Sequence, residues 1–112
     1  MMDIQTLSKQ SIDACQQCVT DCERCITECL AADNKDCIAI CRDCADICAL
    51  CARFEARGSA FSKQLHALCA AICKACHNEC AKHTEHLECC RICSESCKYC
   101  AVCCEDRSKS DS

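Results

Sequence analysis

The sequence predicts an all-α protein, an antiparallel up-down-up-down four-helix bundle with a cysteine-lined core, and three observations predict it. Twenty-one of the 112 residues are cysteine, and nineteen of these recur in steps of three and four residues within four blocks. Such steps keep side chains on one stripe of an α-helix, so each block reads as a helix with a thiol seam. Proline is absent and glycine occurs once, which removes the turn chemistry that all-β or disulfide-knotted small proteins use. What remains is long helices joined by short polar links, and short links make consecutive helices antiparallel neighbours.

The first helix is expected from Ile4 to Ala31, carrying Cys15, Cys18, Cys22, Cys25 and Cys29 and ending at the polar link Ala32–Asp36. Asp33, with Asp36 three residues later, suits the cap and first turn of the second helix, which carries Cys37, Cys41, Cys44, Cys48 and Cys51. Gly58 closes that helix, because glycine takes the left-handed conformation without steric cost. Ser59 or Ser62 caps the third, which runs to about Lys82 and carries Cys69, Cys73, Cys76 and Cys80. Thr84, in the link Lys82–His86, caps the fourth. That helix holds Cys90, Cys93, Cys97, Cys100 and Cys104, with Cys89 and Cys103 as extras, and is expected to end near Asp106. Residues 1–106 then form a single bundle domain, and residues 107–112 a polar, frayed tail.

Composition narrows the class of function. A formal charge of −4 and a pI near 5.5 argue against nucleic acid as a partner, since phosphate binding relies on a cationic face. No stretch is apolar enough for a membrane span, and the N-terminal residues lack the apolar core of a secretory leader, so the expected compartment is the cytoplasm, where thiols stay reduced. A chain this short, with 3% aromatic residues, buries limited apolar area, so its stability is expected to lean on metal.

Stepping along an antiparallel bundle places the thiols in successive layers. The expected layers are Cys29, Cys37, Cys80, Cys90; Cys25, Cys41, Cys76, Cys93; Cys22, Cys44, Cys73, Cys97; and Cys18, Cys48, Cys69, Cys100. A fifth holds Cys15, Cys51 and Cys104, with His66 in the third helix's place. Layers 3.5 residues apart lie roughly 5 Å apart, so the column spans roughly 20 Å. Four thiolates around Zn²⁺ leave two surplus negative charges per layer, and no Lys or Arg lies on the seam to offset them. Cu(I) is soft, accepts two or three thiolates, shares sulfurs between neighbours and leaves the column near neutral at one ion per thiolate, so multiple Cu(I) ions, on the order of twenty per chain, are the expected cargo. His66, His83 and His86 continue the seam at its ends, and His83, His86 and Cys89 form an expected entry site. His77 falls off the seam and is expected at the surface.

The alternatives fit less well. A seam built from cysteine gives up packing volume and helix propensity relative to leucine, which plain packing does not explain. Disulfides are disfavoured by the odd count and by the geometry of neighbouring cysteines on one helix. Iron–sulfur clusters draw ligands from loop runs that a regular helical alternation lacks. A thiol redox buffer wants exposed thiols beside cations, a copper-responsive regulator wants a nucleic-acid or partner surface, and no enzyme constellation is recognisable. Zinc storage is separated only by the charge argument.

The repeated CxxxCxxC blocks, the run CAAICKACHNEC and the following AKHTEHLECCRICSESCKYC resemble the bacterial cysteine-rich copper storage proteins over nearly the whole stretch from Cys15 to Cys104. The resemblance implies a cytosolic four-helix bundle that stores or detoxifies Cu(I) and assembles as a homotetramer, meeting a copper donor or acceptor. Cys89 stands where that family has histidine before the first thiol of the last helix, and the methionines that line one end in some relatives are missing, since only Met1 and Met2 occur. Apolar residues off the seam, Phe61, Leu65, Leu68 and Ile72 on the third helix and Ile92, Tyr99 and Val102 on the fourth, widen the core or meet another chain. Cys103 lies near this outer stripe and is expected outside the metal column.

Overall fold

Asp3 starts the first helix by accepting a hydrogen bond from the Thr6 N–H at 2.8 Å, which satisfies a donor that every helix start leaves open. The protein is described by a computed structural model covering residues 3–110; Met1, Met2, Asp111 and Ser112, the outer ends of the expected domain and tail, lie outside the described residues. Four helices follow: α1 (Ile4–Ala31), α2 (Lys35–Ala56), α3 (Ser62–Ala81) and α4 (Glu88–Ser108).

The links show where local chemistry departs from expectation. Asn34, not Asp33, caps α2, accepting from the Cys37 N–H at 3.5 Å. Asp33 instead takes a left-handed conformation at φ 55°, which Asp and Asn tolerate better than other side chains. Neither Ser59 nor Ser62 caps α3. Ser59 Oγ accepts from the Phe61 N–H at 3.1 Å and turns the link, while Ser62 sits inside the helix. Thr84 lies in the turn over residues 82–86, and α4 begins at Glu88 without a side-chain cap. It then continues past Asp106 to Ser108, with Arg107 buried rather than frayed.

Gly58 holds φ 67° just beyond α2, and a Cβ there would meet nothing within 4 Å. The cost of a side chain is therefore purely conformational. Gly58→Ala is expected to lower the stability of the reduced protein by about 1–2 kcal/mol, measured by urea unfolding; no loss would place the chain reversal elsewhere.

Helix α1 packs against α2 and α4, and α3 packs against the same two. The diagonal pairs, α1 with α3 and α2 with α4, make no backbone contact. The result is a square bundle of 43 × 23 × 17 Å, whose long axis matches 28 residues of α1 at about 1.5 Å each. Polar clamps fix neighbouring helices at the rim of the core. The buried Asp21 carboxylate of α1 accepts from Ser96 Oγ of α4. His77 of α3 donates from Nδ1 to the Ser94 carbonyl at 2.9 Å and lies 2.8 Å from Ser94 Oγ. It is thus half-buried between α3 and α4 instead of standing free at the surface, because α4 passes beside it.

Leu65 and Ile72 pack against the core, whereas Phe61, Leu68, Ile92, Tyr99 and Val102, with Leu30 and Leu50, are exposed. The expected second stripe of α3 therefore divides between core and surface.

Candidate metal centre

All nineteen seam cysteines are 0% exposed, while the two extras, Cys89 and Cys103, each keep 6%. That difference separates column from rim. All twenty-one are free thiols, and the interior that leucine would fill in an ordinary bundle is a column of sulfur.

Three helices hold the register that the sequence predicts. Between α2 and α3 the Sγ pairs are Cys37–Cys80 at 3.5 Å, Cys41–Cys76 at 3.7 Å, Cys44–Cys73 at 3.7 Å and Cys48–Cys69 at 3.6 Å. Across the diagonal from α2 to α4 they are Cys37–Cys90 at 3.9 Å, with Cys41–Cys93, Cys44–Cys97 and Cys48–Cys100 each at 3.8 Å. Helix α1 departs from the flat layers. Cys22 lies 3.6 Å from Cys93, Cys18 lies 3.7 Å from both Cys44 and Cys97, and Cys25 lies 3.9 Å from Cys37 and 3.8 Å from Cys90. At the far end Cys15 lies 3.6 Å from Cys104 and 3.7 Å from Cys100. The α1 thiols are therefore staggered between the rungs, and the column is a continuous zigzag rather than a stack of separate squares.

The stagger produces overlapping donor sets. Cys18, Cys22, Cys44 and Cys97 have their sulfurs within 4.8 Å of one another, as do Cys18, Cys44, Cys48 and Cys73; Cys22, Cys76, Cys93 and Cys97; Cys25, Cys37, Cys41 and Cys80; and Cys15, Cys69, Cys100 and Cys104. Cys18, Cys22, Cys44 and Cys97 each belong to two of these sets, so one sulfur can serve two ions. A metal with bonds of about 2.3 Å to thiolate holds its sulfurs about 3.8 Å apart in tetrahedral and about 4.0 Å apart in trigonal coordination. The spacings already present fit such an ion without opening the bundle.

Charge decides which ion. Among the described residues the buried charged side chains are Asp21, Glu55 and Arg107, and Arg107 is spent on Glu55 at 3.0 Å. No cation faces the sulfurs, so a monovalent ion at one per thiolate suits the column and a divalent one surrounded by four thiolates does not. Three thiols where the column nears the end of the bundle, Cys29, Cys89 and Cys90, start protonated. Burial, then the neighbouring Cys37, pushes the Cys29 thiol up to about 12. Burial and Cys37 raise the Cys90 thiol, and burial and Glu28 raise that of Cys89. Metal binding must therefore release protons.

The other expected donors fall at the ends. Cys89 Sγ lies 4.0 Å from Cys90 Sγ, placing it at the rim beside the first rung. His83 is half-buried with Nε2 2.8 Å from Glu79, and His86 is exposed on the link. His66 is fully buried on α3 at the opposite end. Cys103 keeps 6% exposure and lies beside Tyr99, off the seam of α4. Sequence reasoning missed Ser11, Glu55, Ser62 and Arg107, all buried beyond the last thiols. The signal was available, since Ser11, Glu55 and Arg107 continue the seams by three or four residues past Cys15, Cys51 and Cys104.

A bundle whose interior donors are nearly all thiols defines a class of protein, one that holds many soft metal ions and turns over no substrate. This chain belongs to the copper storage protein family, whose model matches residues 4–109. The Cu(I)-bound copper storage protein BsCsp3 from Bacillus subtilis is 39% identical, with a TM-score of 0.85 over 91% of this chain and 98% of that one. A cytosolic copper storage protein from Streptomyces lividans, solved with five coppers, is 30% identical, with a TM-score of 0.91 over 97% of this chain and 98% of that one. The cysteine-rich protein YhjQ of Bacillus subtilis is 43% identical over 49 residues, which span 39% of this chain and 45% of that relative.

Proposed function

We infer that this protein stores Cu(I) on the thiolates of its core, from Cys15, Cys18, Cys22, Cys25 and Cys29 of α1 through Cys90, Cys93, Cys97, Cys100 and Cys104 of α4. One observation carries the reading: nineteen fully buried thiols in mutual contact, with no cation among them. Its capacity is on the order of twenty ions, one per thiolate with sulfurs shared between neighbours. Support comes from relatives of the same fold, one bound to Cu(I) and another loaded with 10 copper equivalents.

Copper enters at the rim formed by Cys89, with His83 and His86 on the adjoining link, because that end carries donors nearer to solvent than the buried column. Release requires a competing ligand, supplied by a copper acceptor. Storage takes place in the cytoplasm, where reduced thiols persist; no helix among the described residues is long and apolar enough to cross a membrane, and the Streptomyces relative is a cytosolic protein. The exposed Leu68, Ile92, Tyr99 and Val102 suit contact between copies in a homotetramer.

Anaerobic titration of the reduced protein with Cu(I) against a strong chelator tests the reading. Uptake of about twenty ions per chain is expected, with bound Zn²⁺ displaced throughout. Saturation at one or two ions, or retention of zinc against cuprous ion, would overturn it.

A further inference from the structure

The end of the column away from His83 and His86 is closed by polar side chains. Ser11 lies four residues before Cys15, Glu55 four after Cys51, His66 three before Cys69 and Arg107 three after Cys104, so each helix carries its seam one turn further with a polar group. All four are buried, Ser11 and His66 completely. Their hydrogen bonding is nearly complete. Glu55 accepts from Arg107 Nε at 3.0 Å and from Ser62 Oγ at 2.5 Å, Arg107 Nη1 donates to Ser110 Oγ at 2.7 Å, and Ser11 Oγ donates to the Ser8 carbonyl at 2.9 Å. Among the described residues, one buried side-chain nitrogen or oxygen has no partner: Nε2 of His66.

The other ring nitrogen fixes what that orphan is. His66 Nδ1 lies 2.9 Å from the Ser62 carbonyl oxygen, which can only accept, so Nδ1 carries the proton. The Ser62 hydroxyl, 3.3 Å away, gives its own proton to Glu55. In the neutral ring Nε2 is then a bare lone pair, the form in which imidazole binds metal. A backbone carbonyl on the far nitrogen is also the partner that orients metal-bound histidines and raises their basicity. His66 continues the seam of Cys69 and Cys73, and with Nδ1 engaged by Ser62 the ring nitrogen free to bind an ion is Nε2.

We propose that His66 Nε2 is a copper ligand, the nitrogen donor that ends the column in a mixed imidazole–thiolate site with Cys15, Cys51, Cys69 and Cys104. Ser62, Glu55 and Arg107 act as positioning residues. The choice of nitrogen has an electrostatic reason. His66 Nδ1 stands 3.7 Å from a Glu55 oxygen, and a thiolate in its place would set a second anion beside a buried carboxylate, whereas imidazole donates to Cu(I) and stays neutral. The inference rests on the Cu(I) reading of the column.

Long-range ¹H–¹⁵N correlation spectra of the ¹⁵N-labelled reduced protein test it, with the His66 signals assigned by their loss in His66→Gln. The metal-free protein is expected to show the proton on Nδ1 and a free Nε2. During Cu(I) addition the Nε2 signal should move strongly upfield while Nδ1 keeps its proton. His66→Leu should still fold and fill its other sites, but lose part of the nitrogen contribution that the loaded protein shows in copper X-ray absorption, beyond what His83 and His86 supply. An Nε2 signal unmoved in protein filled to its thiol capacity overturns this inference alone; saturation at one or two ions ends both it and the storage reading.

Discussion

Replacing Arg107 with methionine is expected to destabilise the reduced, metal-free bundle by about 3–5 kcal/mol, the loss typical of breaking a buried ion pair from one side. The Arg107 and Glu55 side chains are only 9% and 5% exposed, so solvent screens the pair little. Burial pushes the Glu55 carboxyl upward, but the hydrogen bonds from Ser62 and Arg107 and the charge of the guanidinium help to offset this, and the carboxyl is held below the usual range. Remove the guanidinium and a charge remains in the core with its main counterion gone. The pair joins α2 to α4, diagonal helices that have no backbone contact, so the loss also removes a tie across the bundle. A small domain has only about 5–15 kcal/mol of stability in total, and the urea midpoint should fall accordingly at nearly unchanged slope. Adding Glu55→Gln to Arg107→Met should recover much of the loss, because no charge is then left unpaired. A single variant within about 1 kcal/mol of the parent would mean that water reaches the pair.

The thiol seam was legible because nothing but an α-helix turns steps of three and four into one face. The register of α2, α3 and α4 followed from short links and antiparallel neighbours. What periodicity could not give was the axial offset of α1. That offset depends on the Asp33–Asn34 turn and on side-chain clamps such as Asp21 with Ser96, which are contacts between helices and leave no period in the chain. The same reason hid the His77–Ser94 clamp. Helix starts at Ser62 and Glu88 escaped because neither carries a capping side chain; the link over residues 82–86 sets where α4 begins, and Thr84 is spent within it. Arg107 was read as tail because its neighbours Ser108 and Lys109 are polar, yet it continues the Cys100–Cys104 step by three. A charged residue on a core seam is informative only with its partner, and Glu55 lies 52 positions away.

Filling the column with Cu(I) is expected to raise the melting temperature of the reduced protein by tens of degrees, and stripping the metal with excess chelator should return it to the starting value. The metal-free core is a poor one, since a thiol offers less apolar volume than leucine and its S–H is a weak donor. Copper changes the balance through its position. The sulfurs it would bridge belong to different helices, Cys44 of α2 with Cys18 of α1, Cys73 of α3 and Cys97 of α4, all at 3.7–3.8 Å, so each shared ion is a crosslink between elements that unfolding must separate. A single ion at 100 times its dissociation constant adds about 2.7 kcal/mol to the folded state. Roughly ten such sites would exceed the whole stability of an ordinary domain, even after a large deduction for copper held by thiols of the unfolded chain. Differential scanning calorimetry on metal-free, half-loaded and filled samples should show the transition climbing with occupancy. If filled and stripped samples melt within a few degrees of each other, the ions are bound outside the bundle, and the sulfur column is not where this protein keeps its copper.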